Sequence, residues 1–169
     1  FAIAALLLTL AAWIWRARWP QTGREAGHIA LAGLLVHAGY LGGVFGAIHR
    51  QVSAGEIAII AGLQPVLTAL LAGPFLGERI NARQWLGVVL GFLGVVLVVL
   101  ERIAPGQTDA GGYLFAAFAL ASITFGALYQ KRFCSHMDLR SGAAIQFAVS
   151  TLAMAAAAGL LETMSVEWS

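Results

Sequence analysis

Polar side chains and a proline that stand in or beside otherwise apolar stretches are where any chemistry of this chain has to start, and the foremost are His37, Tyr40, Glu56, Gln64, Thr68 and Pro65. Glu56, Gln64 and Thr68 are separated by multiples of four, which on a helix makes one slowly slanting polar stripe with Ile60 between them. Pro65 brings no N–H, and its ring clashes with the preceding turn, so a backbone carbonyl near Ala61 loses its partner. Inside hydrocarbon, such freed groups are tolerated where they line a cavity. Gln64, beside the break, is therefore the first candidate for contacting a bound solute, with Thr68 one turn on. The competing reading has Gln64 bonded to a neighbouring helix and Pro65 only bending the chain. Glu56 lies about a turn inside the end of its stretch, where it is either a coupling or gating group or simply solvated. His37 and Tyr40, three apart, share one helical face. They would bind an anionic or aromatic solute there, or His37 would relay a proton, since imidazole titrates in the physiological range; a neutral His37 bonded to a backbone carbonyl is the alternative.

The remaining inventory excludes other chemistries. The four histidines are scattered over different depths, and no Ser/His/Asp group or His-rich set converges, so no enzyme, metal or cofactor is expected. Cys134 is the single cysteine and has no partner for an internal disulfide. A net charge of +2 from 10 basic and 8 acidic residues leaves no surface for nucleic acid.

The elements that must position these residues are set by composition. Sixty per cent of the 169 residues are hydrophobic and 11% charged, against about 25% charged in an ordinary soluble domain. The apolar residues come in runs. Ile29–Ile48, Ile57–Leu76, Gly111–Gln130 and Gly142–Leu161 are 20 residues each without a formal charge, and Trp85–Leu100 is 16; about 20 helical residues cross a bilayer. Five spans follow, and a sixth, shorter one runs from Phe1 to Trp15. Because the chain opens in mid-helix, and its arginines follow the apolar core, this first segment reads as the end of a membrane helix and not as a signal peptide. Helices are thus expected at about 1–15, 29–48, 57–76, 85–100, 112–130 and 142–161. Alternate loops differ in charge: Arg16, Arg18 and Arg24, then Arg79 and Arg83, then Lys131, Arg132 and Arg140 place eight of the ten basic residues on one side, the cytoplasmic one.

An internal echo also appears. Phe1–Ala12 laid on Phe147–Ala158 gives five identities in twelve, and the two segments are expected to run in opposite directions, as an inverted repeat with five helices per unit requires. Glycines four apart, Gly39/Gly43, Gly42/Gly46 and Gly87/Gly91, are expected to let neighbouring helices approach closely.

The stretch Ser53–Leu71 with its mid-helix Pro65, the exit Leu76-Gly77-Glu78-Arg79, and the entry Gln84-Trp85-Leu86-Gly87 continuing through Gly91 and Gly94-Val95 resemble the EamA branch of the drug/metabolite transporter superfamily. The resemblance implies an all-α polytopic membrane protein, here a fragment of a ten-helix bundle of two inverted five-helix repeats. Residues 1–102 would be the first repeat without its first helix, 103–112 the inter-repeat loop, and 113–169 the start of the second repeat. It further implies a multi-pass protein of the bacterial inner membrane that exports small metabolites, such as amino acids or nucleobases, or drugs, by alternating access. Its partners would be the small-molecule substrate, the lipid bilayer and, in a proton-linked version, protons. A channel or a structural membrane subunit is the alternative, against which the inverted repeat with a broken midplane helix speaks. A cavity between two repeats needs both, so residues 1–169 alone are expected to give no saturable flux in liposomes; saturable flux would contradict the two-repeat account.

Overall fold

The computed structural model describes residues 1–77, 81–102 and 110–161, and every regular element among them is helical. There are six helices: α1 (Ala2–Ile14), α2 (Gly23–His49), α3 (Ala54–Leu76), α4 (Ala82–Arg102), α5 (Ala110–Phe133) and α6 (Leu139–Leu161). Four of them, α2, α3, α5 and α6, are long and apolar enough to cross a membrane; α4 has 21 residues and α1 has 13. Glu78 and Arg79 of the Leu-Gly-Glu-Arg exit, and residues 103–109 of the expected inter-repeat loop, lie outside the described residues.

Several helices start before the charge-free runs that announce them, because their caps lie outside the apolar stretch. α2 begins at Gly23 because the N-cap Thr22 Oγ1 accepts the Glu25 N–H while the Glu25 carboxylate reaches back to accept the N–H of Gln21, one residue before the cap, which holds a charged first turn in helical form. α4 starts at Ala82 through a reciprocal exchange between Asn81 and Gln84, 2.9 Å in both directions. α3 starts on Ser53, capped by Glu56 in the same way.

Two helices depart from a regular ladder. In α3 the first segment ends at Ala61, Leu63 N–H bonds back only three residues to Ile60 O (3.0 Å), and a second segment runs from Gln64 to Leu76. Pro65 sits at the start of that second segment and has no N–H to offer Ala61, which is the physical reason for the break. The second segment ends on Gly77 at φ 72°, where a side chain would be strained. In α2, residues Leu34–Gly39 form a wide π turn in which Tyr40 N–H reaches Leu35 O. The wider turn separates residues three apart, so His37 and Tyr40 do not share a face as α-helical spacing implies.

α5 is the central helix, with Ala116, Ala119, Leu120, Ser122, Thr124 and Leu128 buried along it. It packs on both α2 and α3, while α6 packs on α1 and α2, and α4 on α3. Close approach depends on α2: a Cβ built on Gly43 would lie 2.8 Å from Phe115 O and Ala119 N of α5, and one on Gly33 would lie 2.6 Å from Gln146 Cα of α6. Among the described residues, a Cβ at Gly42, Gly87 or Gly91 would meet nothing within 4 Å, so the close packing expected of the Gly87/Gly91 pair is not made with them. Hydroxyls knit the same interfaces, Ser122 donating to Leu35 O (2.9 Å) and Ser150 to Gly33 O (3.0 Å) around the π turn. Among the described residues, no buried side-chain nitrogen or oxygen lacks a hydrogen-bond partner.

Gly33→Ala drives a methyl into a neighbouring backbone and is expected to destabilise by about 1–3 kcal/mol, whereas Gly42→Ala, in open space, is neutral or stabilising by up to about 1 kcal/mol. Thermal midpoints of the detergent-solubilised protein, read by size-exclusion fluorescence, measure the difference; equal midpoints would remove close α2–α6 contact as the reason for the glycine.

Candidate functional site

The break in α3 opens onto a cavity of about 550 Å³ between α3, α4 and α5. Gln64, Pro65 and Thr68 line it from α3, Gln84 from α4, and Ala127, Leu128 and Lys131 from α5. The wall thus combines two carboxamides, a hydroxyl and one ammonium with aliphatic carbon, and no lining residue is acidic. Gln64 and Thr68 point the same way because they lie four apart on the regular part of α3. Gln84 does two jobs: its backbone and side chain close the cap of α4 with Asn81, and its position in that first turn brings it to the cavity. Lys131 lies at the end of α5 beside Arg132, whose guanidinium donates to Phe75 O in the last turn of α3 and ties the two helix ends together.

At the opposite end the helices are closed. Glu56 Oε2 accepts the Ser53 N–H (2.9 Å) and hydroxyl (2.6 Å), and its Oε1 accepts the Tyr113 hydroxyl from α5 (2.7 Å). Beneath this, Ala47, Val52, Ile57 and Ala116 form an apolar plug with Tyr113 packed on it, and the Arg50 guanidinium lies 5.8 Å from the Phe115 ring centroid. Glu56 is therefore neither free in solvent nor part of the cavity: the break in α3 separates it from Gln64 and Thr68, and the single stripe of three becomes two sites.

His37 and Tyr40 do not line the cavity. His37 packs on α6, its ring 4.5 Å from that of Phe147 and 6.0 Å from that of Phe1. On α6 Gln146 donates to Gln130 of α5 (3.2 Å). Tyr40 is half-buried beyond the π turn. Nearer the basic loops, His28 Nδ1 and Tyr129 Oη are 2.5 Å apart and the imidazole stacks on Phe133, which gives Tyr129 a partner in addition to its place at a span end. Thr124 bonds its own helix at Leu120 O, whereas Ser122 crosses to α2. Sequence spacing could not reveal Gln84, Lys131, Gln146 or Tyr113 as site residues, since each acts across a helix–helix contact. The spacing of Gln84, three after Asn81, marks a helix start and not a place in the cavity wall.

A helical bundle with spans of membrane length, a helix broken by proline at mid-span and a polar cavity at the break defines a polytopic α-helical membrane protein. Residues 1–100 match the model of the EamA-like transporter family, and the chain belongs to that family. It is 26% identical over 121 residues to an uncharacterized transporter, YvbV, of Bacillus subtilis, covering 71% of this chain and 39% of that relative. It is 24% identical over 104 residues to a probable amino-acid metabolite efflux pump of Escherichia coli (62% of this chain, 35% of the relative), and 29% identical over 105 residues to one of the same description in Salmonella typhimurium (62% and 35%). The chain therefore spans less than two fifths of the length of these relatives. No solved structure matches it. With its relatives in bacteria and its several apolar helices, it is a multi-pass protein of a bacterial membrane.

The loops at the basic end are tied by one carboxylate. Asp138 accepts the N–H of Arg140 (2.9 Å) and of Arg18 (3.2 Å), and these bonds hold it below the ordinary carboxylate range. In the same loop, burial pushes the Cys134 thiol up, with the Glu25 charge adding to the effect, so it is a poor nucleophile at neutral pH. A lowered carboxylate pKa contributes stability that is present above its unfolded value and lost as pH falls through the folded one. Between about pH 5 and about pH 3, the thermal midpoint is expected to fall further for wild type than for Asp138→Asn; parallel curves would show that Asp138 does not hold the two loops.

Proposed function

We propose that the intact protein is a secondary transporter that moves small polar metabolites, amino acids or related compounds, out of the cell by alternating access. The observation that carries this is the convergence of Gln64, Pro65 and Thr68 on one cavity of about 550 Å³ at the break of α3. That volume suits a small metabolite, and a mostly aliphatic wall with a few polar groups is the usual build of a small-molecule site. Broken helices at mid-span are where secondary transporters hold substrate, because unwound backbone can bond the solute. The relatives described as probable amino-acid metabolite efflux pumps support the direction and the substrate class.

Within this reading the basic end faces the cytoplasm. The cavity reaches toward that end, where Leu76, Gln84 and Lys131 form its rim, and the Glu56–Tyr113 contact with its apolar plug closes the other. In this reading the protein is a carrier closed to the outside, and α3 and α5 part at Glu56 when access changes; the Glu56–Tyr113 contact supports it. Gln64 and Thr68 hydrogen-bond the solute, Pro65 keeps the backbone open beside it, and Glu56 acts as the gate. His37 contacts α6 and is kept as a coupling group distinct from the solute cavity.

The test expresses the intact protein in a bacterial inner membrane and profiles small molecules in the medium for wild type and Gln64→Ala at equal protein level. A solute that accumulates with wild type is expected to fall about five- to tenfold with the variant, the loss of one solute hydrogen bond. Accumulation unchanged by Gln64→Ala would remove the α3 cavity as the binding site, and no accumulated solute at all would turn the reading toward uptake or a channel.

A further inference from the structure

The turn between α1 and α2 forms a second concave site, apart from the α3 cavity. A cavity of about 550 Å³ is lined there by Ala12, Trp13, Ile14, Arg16, Ala17 and Trp19. Arg16 is its one charged lining residue, and its guanidinium has no hydrogen-bond or ionic partner among the described residues. Trp13 and Trp19 are 76% and 44% exposed, so two indoles flank an accessible cation.

This turn is held in shape. Arg16 adopts φ 48° as the left-handed residue that closes the last turn of α1, with Ala17 N–H on Ala12 O (2.8 Å) and Arg16 N–H on Trp13 O (3.2 Å). Beyond this closure, α6 and the loop before it hold the turn: Ser141 donates to Arg18 O (2.5 Å), Asp138 accepts the Arg18 N–H, and the Arg140 guanidinium lies 5.4 Å from the Trp15 ring centroid. The nearby carboxylate, Asp138, is engaged by backbone N–H groups, and the other charged side chains of the cluster, Arg18 and Arg140, are cationic. A fixed concavity of positive sign therefore sits at the end of an apolar helix, at the depth where indole rings mark the membrane interface.

The chemistry that fits is a phosphodiester with a hydrocarbon attached. A guanidinium donates paired N–H bonds to phosphate oxygens, and indoles cover glycerol and acyl carbon while keeping a polar edge toward water. A soluble phosphate would leave the apolar wall of Ala12, Trp13 and Ile14 unused. We infer that the α1–α2 turn binds the headgroup of an anionic phospholipid from the leaflet at the basic end, through Arg16, Trp13 and Trp19.

The intact protein is reconstituted in mixed phosphatidylcholine and phosphatidylglycerol vesicles, extracted in mild detergent, and its retained lipid quantified by mass spectrometry. Wild type is expected to retain phosphatidylglycerol preferentially, and Arg16→Gln to lower that preference about fivefold, the worth of one interfacial arginine. Arg24→Gln removes the same charge from the same connection outside the cavity and is expected to retain it. Retention unchanged in Arg16→Gln, or lowered equally in Arg24→Gln, would overturn the site in favour of diffuse attraction. Displacement of the lipid by inorganic phosphate would overturn it in favour of a soluble anion. Should Arg16→Gln not yield a monodisperse protein, Trp13→Leu takes its place, and undiminished retention there would equally overturn the assignment.

Discussion

Backbone groups inside hydrocarbon have no water to turn to, so each one must be bonded within the protein. The rest of this structure depends on that constraint, because among the described residues the π turn of α2 and the break of α3 depart from the regular helical ladder where other helices or a cavity meet them. At the π turn of α2, hydroxyls arrive from two different helices, Ser122 at Leu35 O and Ser150 at Gly33 O. At the break of α3, Leu63 bonds back three residues and the interruption faces the cavity lined from Gln64 onward. An irregular backbone at these depths is thus a marker of where helices meet or where a solute has room.

The same constraint explains why α5 is central. It touches both irregular helices, carrying Ser122 to one and Ala127, Leu128 and Lys131 to the cavity of the other. Small residues on the facing side of α2 bring the backbones close enough for a short serine side chain to reach across. A bulkier interface would leave the hydroxyl short of its carbonyl.

Span positions were legible in the sequence because bilayer thickness dictates run length, and the α3 break was legible because proline has no N–H. The starts of α2 and α4 were also written there, as Thr22 with Glu25 and Asn81 with Gln84, but a ruler that stops at the first formal charge passes over them. The π turn was not legible. Residues 34–39 contain no proline and no unusual composition, and the side chains that meet this stretch, Ser122 at Leu35 O and Ser150 at Gly33 O, lie far away in sequence. For the same reason, the pairing of His37 with Tyr40 and the single stripe from Glu56 to Thr68 followed from ideal spacing and were undone by local changes of helical pitch. Gln84 and Lys131 became part of a site only when α3, α4 and α5 were seen side by side.

The two oxygens of Glu56 have separable jobs. Oε2 holds the Ser53 cap within its own helix, and Oε1 holds Tyr113 across the interface. Parting α3 from α5 at this end would therefore break a bond worth about 1.5–3 kcal/mol while the first turn of α3 stays wound. A carboxylate arranged this way is a clasp that could be undone without fraying the strap it is sewn to, and in the proposed cycle the same side chain would be on hand, already oriented, when the helices return.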